Sequence, residues 1–231
     1  MTPPRLAIIG AGKMGRAVRA LADERGWPVA ATIGSTAGGI TRDTLAGATV
    51  AIEFTTPAAA PGNIIACAKA GVPVVVGTTG WDAERARVER EVLAADGTML
   101  ASPNFALGMV IFQQLSEQLG KLAAGAPGYG VHIVETHHAA KLDAPSGTGL
   151  LIARHTSAAL GREIPITSVR VGSVPGRHEL IVDGPFEQLR LVHEVRDRRV
   201  FAEGALAAAA WLVGRKGICT VLGMLEAGGA R

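Results

Sequence analysis

The densest polar run of the 231-residue chain is ETHHAAKLDAPSGT, at residues 135–148. A helix is predicted to follow it, with Ser146 as the N-cap residue. Gly147 and Thr148 would then lie in the first turn, where free backbone N–H groups bind an anion and glycine lets it come close. The end of the run therefore predicts a binding site for a small carboxylate.

Three side chains of the same run carry or can accept positive charge. His138 and Lys141 would lie near the anion site and favour a carboxylate there. His137 and Lys141 both have the chemistry of a proton donor, because burial and neighbouring charges tune their pKa values. The run as a whole predicts delivery of a proton to a bound substrate that carries a carboxylate, and after a dinucleotide fold it suggests hydride transfer to that substrate.

Two other chemistries fit this run less well. Adjacent histidines on a strand face opposite sides, and no cysteine or H-E-x-x-H pattern completes a metal site. Ser146 lacks the G-x-S-x-G turn of a serine hydrolase. We therefore expect no bound metal and no serine nucleophile.

A glycine-rich turn follows the first predicted strand, LAII, at residues 6–9. Its sequence, GAGKMG, matches the dinucleotide pattern G-x-G-x-x-G between a strand and a helix. The first glycine permits the tight turn, the second lets a pyrophosphate approach, and the third permits close packing of helix on strand. The predicted cofactor-binding residues are Gly10, Ala11, Gly12, Lys13, Met14 and Gly15.

The second predicted strand ends without the acidic residue that usually bonds the ribose 2′-hydroxyl. Gly34, Ser35 and Thr36 stand there instead. Nothing at this point excludes a 2′-phosphate, which Lys13 would help to neutralise. The predicted cofactor is NADPH or NADH.

Two further loops follow the fourth and fifth predicted strands, where open parallel sheets bind their ligands. Threonine, asparagine and glycine are also common in ordinary turns, so spacing alone leaves both interpretations open. The residues concerned are Gly77, Thr78 and Thr79 in one loop, and Ser102, Pro103, Asn104 and Phe105 in the other.

The elements that carry these motifs change in type near residue 105. Before it, β-branched strands alternate with amphipathic helices, which predicts an α/β fold with a parallel sheet of the Rossmann type. After it, a helix over 107–122 precedes strand-like runs, which predict an α+β domain. These runs are 131–135, 166–174, 179–182 and 188–195.

Composition excludes several classes of protein. Hydrophobic residues make up 48%, enough for a packed core, and two cysteines cannot form a disulfide framework. The net charge of +3 is not gathered into a basic stripe, so we expect no nucleic-acid partner. The longest uncharged run contains polar residues, so we expect no membrane span and a cytoplasmic location.

The polar run resembles the signature E-x-H-H-x-x-K-x-D-A-P-S-G-T of the 4-hydroxy-tetrahydrodipicolinate reductase (dihydrodipicolinate reductase) family. Further family-like segments cover nearly the whole chain. They are EFTTP at 53–57, GTTG at 77–80, SPNF at 102–105, RVG at 170–172, GRHE at 176–179 and FAEGAL at 201–206.

This resemblance implies reduction of a cyclic unsaturated dicarboxylate by NAD(P)H in the diaminopimelate route to lysine. By motif, His137 is the proton donor or acceptor and Lys141 a proton donor, while His138, Gly147 and Thr148 bind the substrate carboxylates. The resemblance also implies a homotetramer built by a mixed sheet. A dinucleotide-binding domain would span 1–105 with a return at 208–231, and a substrate-binding domain 106–207.

Some positions depart from the family, and two other functions remain open. Lys13 stands where an arginine is often found and Gly34 where an acid is often found, and both departures leave the choice between NADPH and NADH open. Ala139 stands where an arginine often follows the paired histidines. Another small amino-acid-related dehydrogenase, such as an aspartate dehydrogenase, has the same architecture. A non-catalytic NAD(P)H-binding regulator would need no intact His-His-Lys cluster.

Overall fold

A computed structural model describes residues 2–34 and 39–228. Its first part consists of β1 (Leu6–Ile9), α1 (Lys13–Glu24), β2 (Val29–Ile33), β3 (Val50–Glu53), α2 (Ala60–Lys69), β4 (Val74–Val76), a 3₁₀ turn (Asp82–Glu84), α3 (Arg85–Ala94) and β5 (Thr98–Ala101). Next come α4 (Leu107–Ala124), β6 (Gly130–His137), α5 (Gly147–Leu160), β7 (Ile166–Arg170), β8 (Arg177–Asp183) and β9 (Gln188–Glu194). The chain closes with α6 (Val200–Leu212), β10 (Gly217–Cys219) and α7 (Val221–Glu226).

The chain divides into two compact units. One contains residues 1–107 and 199–231, and the other contains residues 108–198. The return to the first unit thus begins before the expected residue 208, because the whole of α6 packs against α1 and the central strands of the first unit. The binding roles of the two units stay predictions.

The first unit has a six-stranded parallel sheet in the order β10-β5-β4-β3-β1-β2. Its four central strands, β5, β4, β3 and β1, are buried on both faces, which is why they read as continuous apolar runs. Ala7 and Ile9 of β1 pack with Ile64 of α2 and Val88 of α3, while Leu6 and Ile8 alternate with them. The predicted Rossmann-type sheet is confirmed, and the strand order reverses at β1, where such sheets bind ligands.

The second unit has a four-stranded mixed sheet in the order β7-β6-β8-β9. The strand β6 pairs in parallel with β7 and antiparallel with β8, which in turn pairs antiparallel with β9. Alternate residues of β6 are buried, from Val131 to His137, and its remaining residues are partly exposed. The predicted mixed sheet is confirmed, and the buried face of β6 leads directly to the polar run.

No helix in the described parts of the chain is long and apolar enough to cross a membrane.

Candidate active site

Two polar side chains lie on the buried face at the end of β6. Glu135 is fully buried and His137 is 8% exposed. The Oε2 atom of Glu135 accepts a hydrogen bond from Nδ1 of His137. Its Oε1 atom accepts one from Nη2 of Arg170 at 2.8 Å and one from the backbone N–H of Ser146 at 3.3 Å. Glu135 therefore joins His137, β7 and the start of α5.

Burial and charge act in opposite directions on the pKa values of this pair. Burial raises the pKa of Glu135, but hydrogen bonds from Arg170 and His137 outweigh it and lower the pKa to about 2. Burial lowers the pKa of His137, and the Glu135 carboxylate opposes this shift. At neutral pH the pair is therefore an ionised carboxylate that accepts a hydrogen bond from the N–H of a neutral imidazole.

The loop after β6 carries Lys141. Its Nζ atom donates to both carboxylate oxygens of Asp143, at 2.7 and 2.9 Å. The backbone N–H of Lys141 donates to the carbonyl of His138 at 3.1 Å, which closes a turn. The imidazole of His138, the first residue after the strand, is partly exposed. The structure thus brings the predicted histidines and the lysine into one loop region.

The first turn of α5 has the form that the sequence predicts. Ser146 is the N-cap residue, and its hydroxyl accepts a hydrogen bond from the N–H of Gly149 at 3.1 Å. Gly147 is exposed, and a Cβ atom added to it would meet nothing within 4 Å. Open space therefore lies beside the N–H groups of Gly147 and the partly buried Thr148.

A carboxylate of the protein already lies at this helix start. Hydrogen bonds from Lys141 lower the pKa of Asp143, and the backbone N–H groups of Asp143 and Gly147 add to this effect. The ammonium of Lys141, which was predicted to attract a substrate carboxylate, thus binds a carboxylate of the chain beside the helix start.

Two residues at this site were not assigned a role from the sequence. Arg170 ends β7, and its guanidinium is paired with Glu135. His178 of β8 lies opposite Glu135 in the strand register, and its ring meets that of His137 edge to face at 5.2 Å. Both residues belong to family-like segments, but a single sequence does not show that their strands flank β6.

Glu135, His137 and His178 have ligand atoms within 4.8 Å of one another. This donor set does not fit a divalent cation, because Glu135 already forms an ion pair with Arg170, whose guanidinium would lie beside the metal. The expected absence of a metal stays a prediction.

The glycine turn after β1 shows three different environments. A Cβ atom at Gly10, where φ is +108°, would lie 2.0 Å from the carbonyl oxygen of Phe54. One at Gly15 would lie 1.8 Å from the carbonyl oxygen of Gly10, whereas one at Gly12 would meet nothing within 4 Å. The first and third glycines are therefore needed for packing, and the second leaves the start of α1 open to a ligand.

A cavity of about 730 Å³ lies at the carboxyl ends of β1, β2 and β3. Of the predicted cofactor-binding residues, Gly10, Ala11 and Gly12 line it, and Lys13, Met14 and Gly15 follow in the first turn of α1. Gly34 also lines it, while Ser35 and Thr36 lie outside the described residues. The open helix start and this cavity fit a dinucleotide.

The two remaining predicted loops contact the wall of this cavity rather than form it. The hydroxyl of Thr78, in the loop of Gly77 and Thr79, accepts a hydrogen bond from the N–H of Thr55 at 2.7 Å. The buried ring of Phe105 meets that of Phe54 edge to face at 6.2 Å, and its loop contains Ser102, Pro103 and Asn104. Thr55 and Phe54 line the cavity. In the sequence, Phe54 and Thr55 stand out only as part of the family-like segment EFTTP.

Comparisons with known proteins identify the family of the chain. The family model described as the dihydrodipicolinate reductase N-terminus matches residues 4–105, and the model of its C-terminus matches residues 108–225. The 4-hydroxy-tetrahydrodipicolinate reductase of Thiobacillus denitrificans is 35% identical, over 91% of this chain and 94% of that protein.

Solved structures share the fold. A dipicolinate-bound dihydrodipicolinate reductase from Paenisporosarcina sp. TG-14 has a TM-score of 0.77 at 22% identity and covers 97% of this chain and 99% of its own. An aspartate dehydrogenase from Thermotoga maritima has a TM-score of 0.50 at 12% identity and covers 89% of this chain and 94% of its own.

Proposed function

The chain belongs to the dihydrodipicolinate reductase family, and from this premise we infer that it reduces 4-hydroxy-tetrahydrodipicolinate to tetrahydrodipicolinate in the diaminopimelate route to lysine. It is an NAD(P)H-dependent oxidoreductase, as the sequence predicts. When bound, the cofactor supplies a hydride to the conjugated C=C–C=N system that the substrate forms on losing water. What this chain must supply is a carboxylate site and a proton.

One observation carries the proposed site: His137, Lys141 and the start of α5 lie on one segment fixed by Glu135. We propose that Gly147 and Thr148 bind a substrate carboxylate, with His138 adding positive charge. The carboxylate of Asp143, held by Lys141 and the helix start, supports this because its chemistry is that of the substrate group.

The proton that completes the reduction comes from Lys141 or His137 in this proposal. Hydride addition leaves an enamine whose carbon must be protonated. Burial lowers the pKa of His137, so its imidazole is mostly neutral at pH 7. This favours the ammonium of Lys141 as the donor and His137 as the group that accepts or relays a proton.

We propose that the dinucleotide lies in the cavity of the first unit, with its pyrophosphate at the start of α1. Gly12 leaves that start open, and no acidic residue stands at Gly34 to reject a 2′-phosphate. The loops of Thr78 and Phe105 would fix Thr55 and Phe54 on the opposite wall. This cavity would therefore accept a dinucleotide with or without a 2′-phosphate, NADPH or NADH.

A turnover assay tests the proposed function. The unstable substrate is generated in place from pyruvate and aspartate semialdehyde by the preceding synthase, and loss of NADPH or NADH absorbance is followed. We expect synthase-dependent oxidation, and kcat lower by roughly 10²–10⁴-fold in His137→Gln and Lys141→Gln with cofactor affinity retained.

His132→Gln is the matched control, because His132 lies on the other face of β6. Full turnover in both His137→Gln and Lys141→Gln would remove their catalytic roles. Cofactor binding without any synthase-dependent oxidation would instead favour a non-catalytic regulator. Oxidation driven only by an acyclic amino acid would favour a dehydrogenase of another substrate.

We further propose that the protein is a cytoplasmic homotetramer. Val134, Ile181 and Val192 share the face of the mixed sheet opposite the buried residues of β6, and Val192 is 44% exposed. A sheet face with aliphatic side chains that are exposed or partly exposed is suited to pairing with a second copy. Both cysteines, Cys67 and Cys219, are free, in keeping with a reducing compartment.

A further inference from the structure

The guanidinium of Arg170 contacts both segments that carry the proposed catalytic residues. Its Nη2 atom donates to Oε1 of Glu135 at 2.8 Å and to the carbonyl of Asp143. Its Nε atom donates to the carbonyl of Lys141 at 3.3 Å. One side chain therefore links the partner of His137 to the loop that presents Lys141.

Glu135 needs this contact because it is a fully buried carboxylate. A buried charge is costly unless an opposite charge and hydrogen bonds compensate it. Arg170 supplies the charge, and the backbone N–H of Ser146 supplies a further hydrogen bond. Glu135 is thus held as an anion in a fixed place, 0% exposed, with its second oxygen against His137.

The carboxylate determines which ring nitrogen His137 presents to a substrate. Since Nδ1–H donates a hydrogen bond to Glu135, Nε2 is the nitrogen without a proton in the neutral ring. The residue beside Nε2 is Gly176, where an added Cβ atom would lie 3.2 Å away and where φ is +155°. A side chain at this position would press against Nε2, and glycine avoids that contact.

We propose that Glu135 and Arg170 are positioning residues for proton transfer: Glu135 fixes the tautomer and orientation of His137, and Arg170 fixes both Glu135 and the Lys141 loop. The proposal rests on the catalytic role proposed above for His137 and Lys141. Neither Glu135 nor Arg170 has to touch the substrate to act in this way.

The charges around His137 give the proposal a direct readout. The groups that face its ring are Glu135 on β6, Arg170 on β7, His178 on β8 and Lys141 in the loop. Glu135 raises the pKa of His137, whereas Arg170 and Lys141 lower it. We therefore expect the pKa of His137 to fall when the charge of Glu135 is removed and to rise when the charge of Arg170 is removed.

The experiment is a histidine titration by NMR of the full-length protein without substrate, with the His137 resonance assigned by its loss in His137→Gln. We expect the pKa of His137 to fall by about 1 in Glu135→Gln, as for loss of a neighbouring opposite charge, and to rise in Arg170→Gln. Both variants should lose kcat by about 10–100-fold, part of what a positioned acid or base contributes, with KM changed less.

Two further variants separate positioning from a general loss of structure. Glu179→Gln is the matched control, because Glu179 is a 4%-exposed carboxylate of the same sheet that is paired with Arg177 and Arg190. It should leave the His137 titration unchanged. Arg170→Lys keeps the charge but not the planar group that donates to Glu135, Lys141 and Asp143 at once, so it should keep the His137 pKa and still lose kcat.

The outcomes distinguish this proposal from the proposed function. An unchanged His137 pKa in both Glu135→Gln and Arg170→Gln would overturn the positioning role, even if His137→Gln is inactive. So would full kcat in Arg170→Lys and Glu135→Gln. Full turnover in His137→Gln would overturn the proposed catalytic role of His137 instead, whatever its titration shows.

Discussion

The imidazole of His178 is buried at the floor of the site, 4% exposed, against the ring of His137. Burial lowers its pKa to about 4, and Nε2 of its ring lies 3.3 Å from the hydroxyl of Ser146. In the unfolded chain the same histidine titrates near 6.5. The folded protein therefore holds a neutral imidazole over a pH range in which the unfolded chain binds a proton.

This difference predicts a loss of stability in mild acid. As the pH falls from about 6.5 to about 4, protonation of the unfolded chain lowers the free energy of unfolding by up to about 3 kcal/mol from His178. Glu135, whose pKa is lowered to about 2, loses its stabilising contribution only at lower pH, below about 4.5.

His178→Gln should therefore flatten the decrease of the unfolding free energy between about pH 7 and pH 4.5. Urea denaturation at several pH values in this range measures it. His155→Gln, an exposed histidine of α5, is the control for loss of a histidine from the same unit. An equally steep pH dependence in wild type and His178→Gln would contradict the lowered pKa.

At the scale of residues, the sequence predicts local structure better than contacts between residues far apart in the chain. Ser146 could be predicted as an N-cap because capping is local, and the structure confirms it. Arg170 and His178 could not be assigned, since they reach the site only because β7 and β8 pair with β6. Such pairing joins residues far apart in sequence, and nothing in one chain marks it.

In the turn between β1 and α1, one glycine is needed for packing and another leaves room for a ligand. Gly12 and Gly15 belong to the same motif, but only Gly15 is packed against backbone. Gly15→Ala should lower the free energy of unfolding by about 1–3 kcal/mol, because its methyl group overlaps the carbonyl of Gly10. Gly12→Ala should fold normally and bind NADPH about tenfold more weakly, a change of about 1.4 kcal/mol.

Urea denaturation and titration of NADPH fluorescence measure the two effects on the same preparations. Gly26→Ala is not a useful control, because φ is +66° there, whereas Gly62, in α2, has a usual φ and no atom within 4 Å of an added Cβ. Gly62→Ala should change neither quantity. Wild-type stability in Gly15→Ala, or wild-type NADPH affinity in Gly12→Ala, would show that the division of roles is wrong.

At the scale of elements, the sequence predicts where strands lie better than where they end. The predicted run at 188–195 corresponds to β9, but the run at 166–174 is longer than β7, which ends at Arg170. The chain turns after Arg170, with Gly172 at a φ of +52° and Gly176 at +155°. The β-branched residues Val171 and Val174 continue the strand-like pattern past this turn, which is why the predicted strand is longer than β7.

At the scale of the whole molecule, the family resemblance implied that the C-terminal part returns to the first unit, and α6 shows why it does. Ala205 and Leu206 are fully buried, and a Cβ atom at Gly204 would lie 1.8 Å from the carbonyl of Phe105. A helix buried on most sides has to pack into an existing core. The apolar composition of α6 fits such a buried helix. The helix begins at Val200, so the chain returns to the first unit earlier than the predicted boundary at residue 208.

The proposed homotetramer predicts that the outer face of the mixed sheet is buried between copies. Val192 lies directly opposite Glu179 in the strand register, and Val134 lies opposite it on the other side. Lysine at position 192 or 134 would therefore face a carboxylate in the single chain. In an interface between copies, the same lysine would be buried at considerable cost.

Val134→Lys/Val192→Lys should therefore keep its secondary structure by circular dichroism and shift from a tetramer to smaller species. Size-exclusion chromatography with light scattering measures the mass of each species. Leu93→Lys is the matched control, because Leu93 is a 55%-exposed aliphatic residue on α3 of the first unit. If the double variant has the same mass as wild type, this sheet face does not form the assembly, whatever that mass is. A smaller mass in both the double variant and Leu93→Lys would mean that assembly responds to surface charge in general rather than to this face.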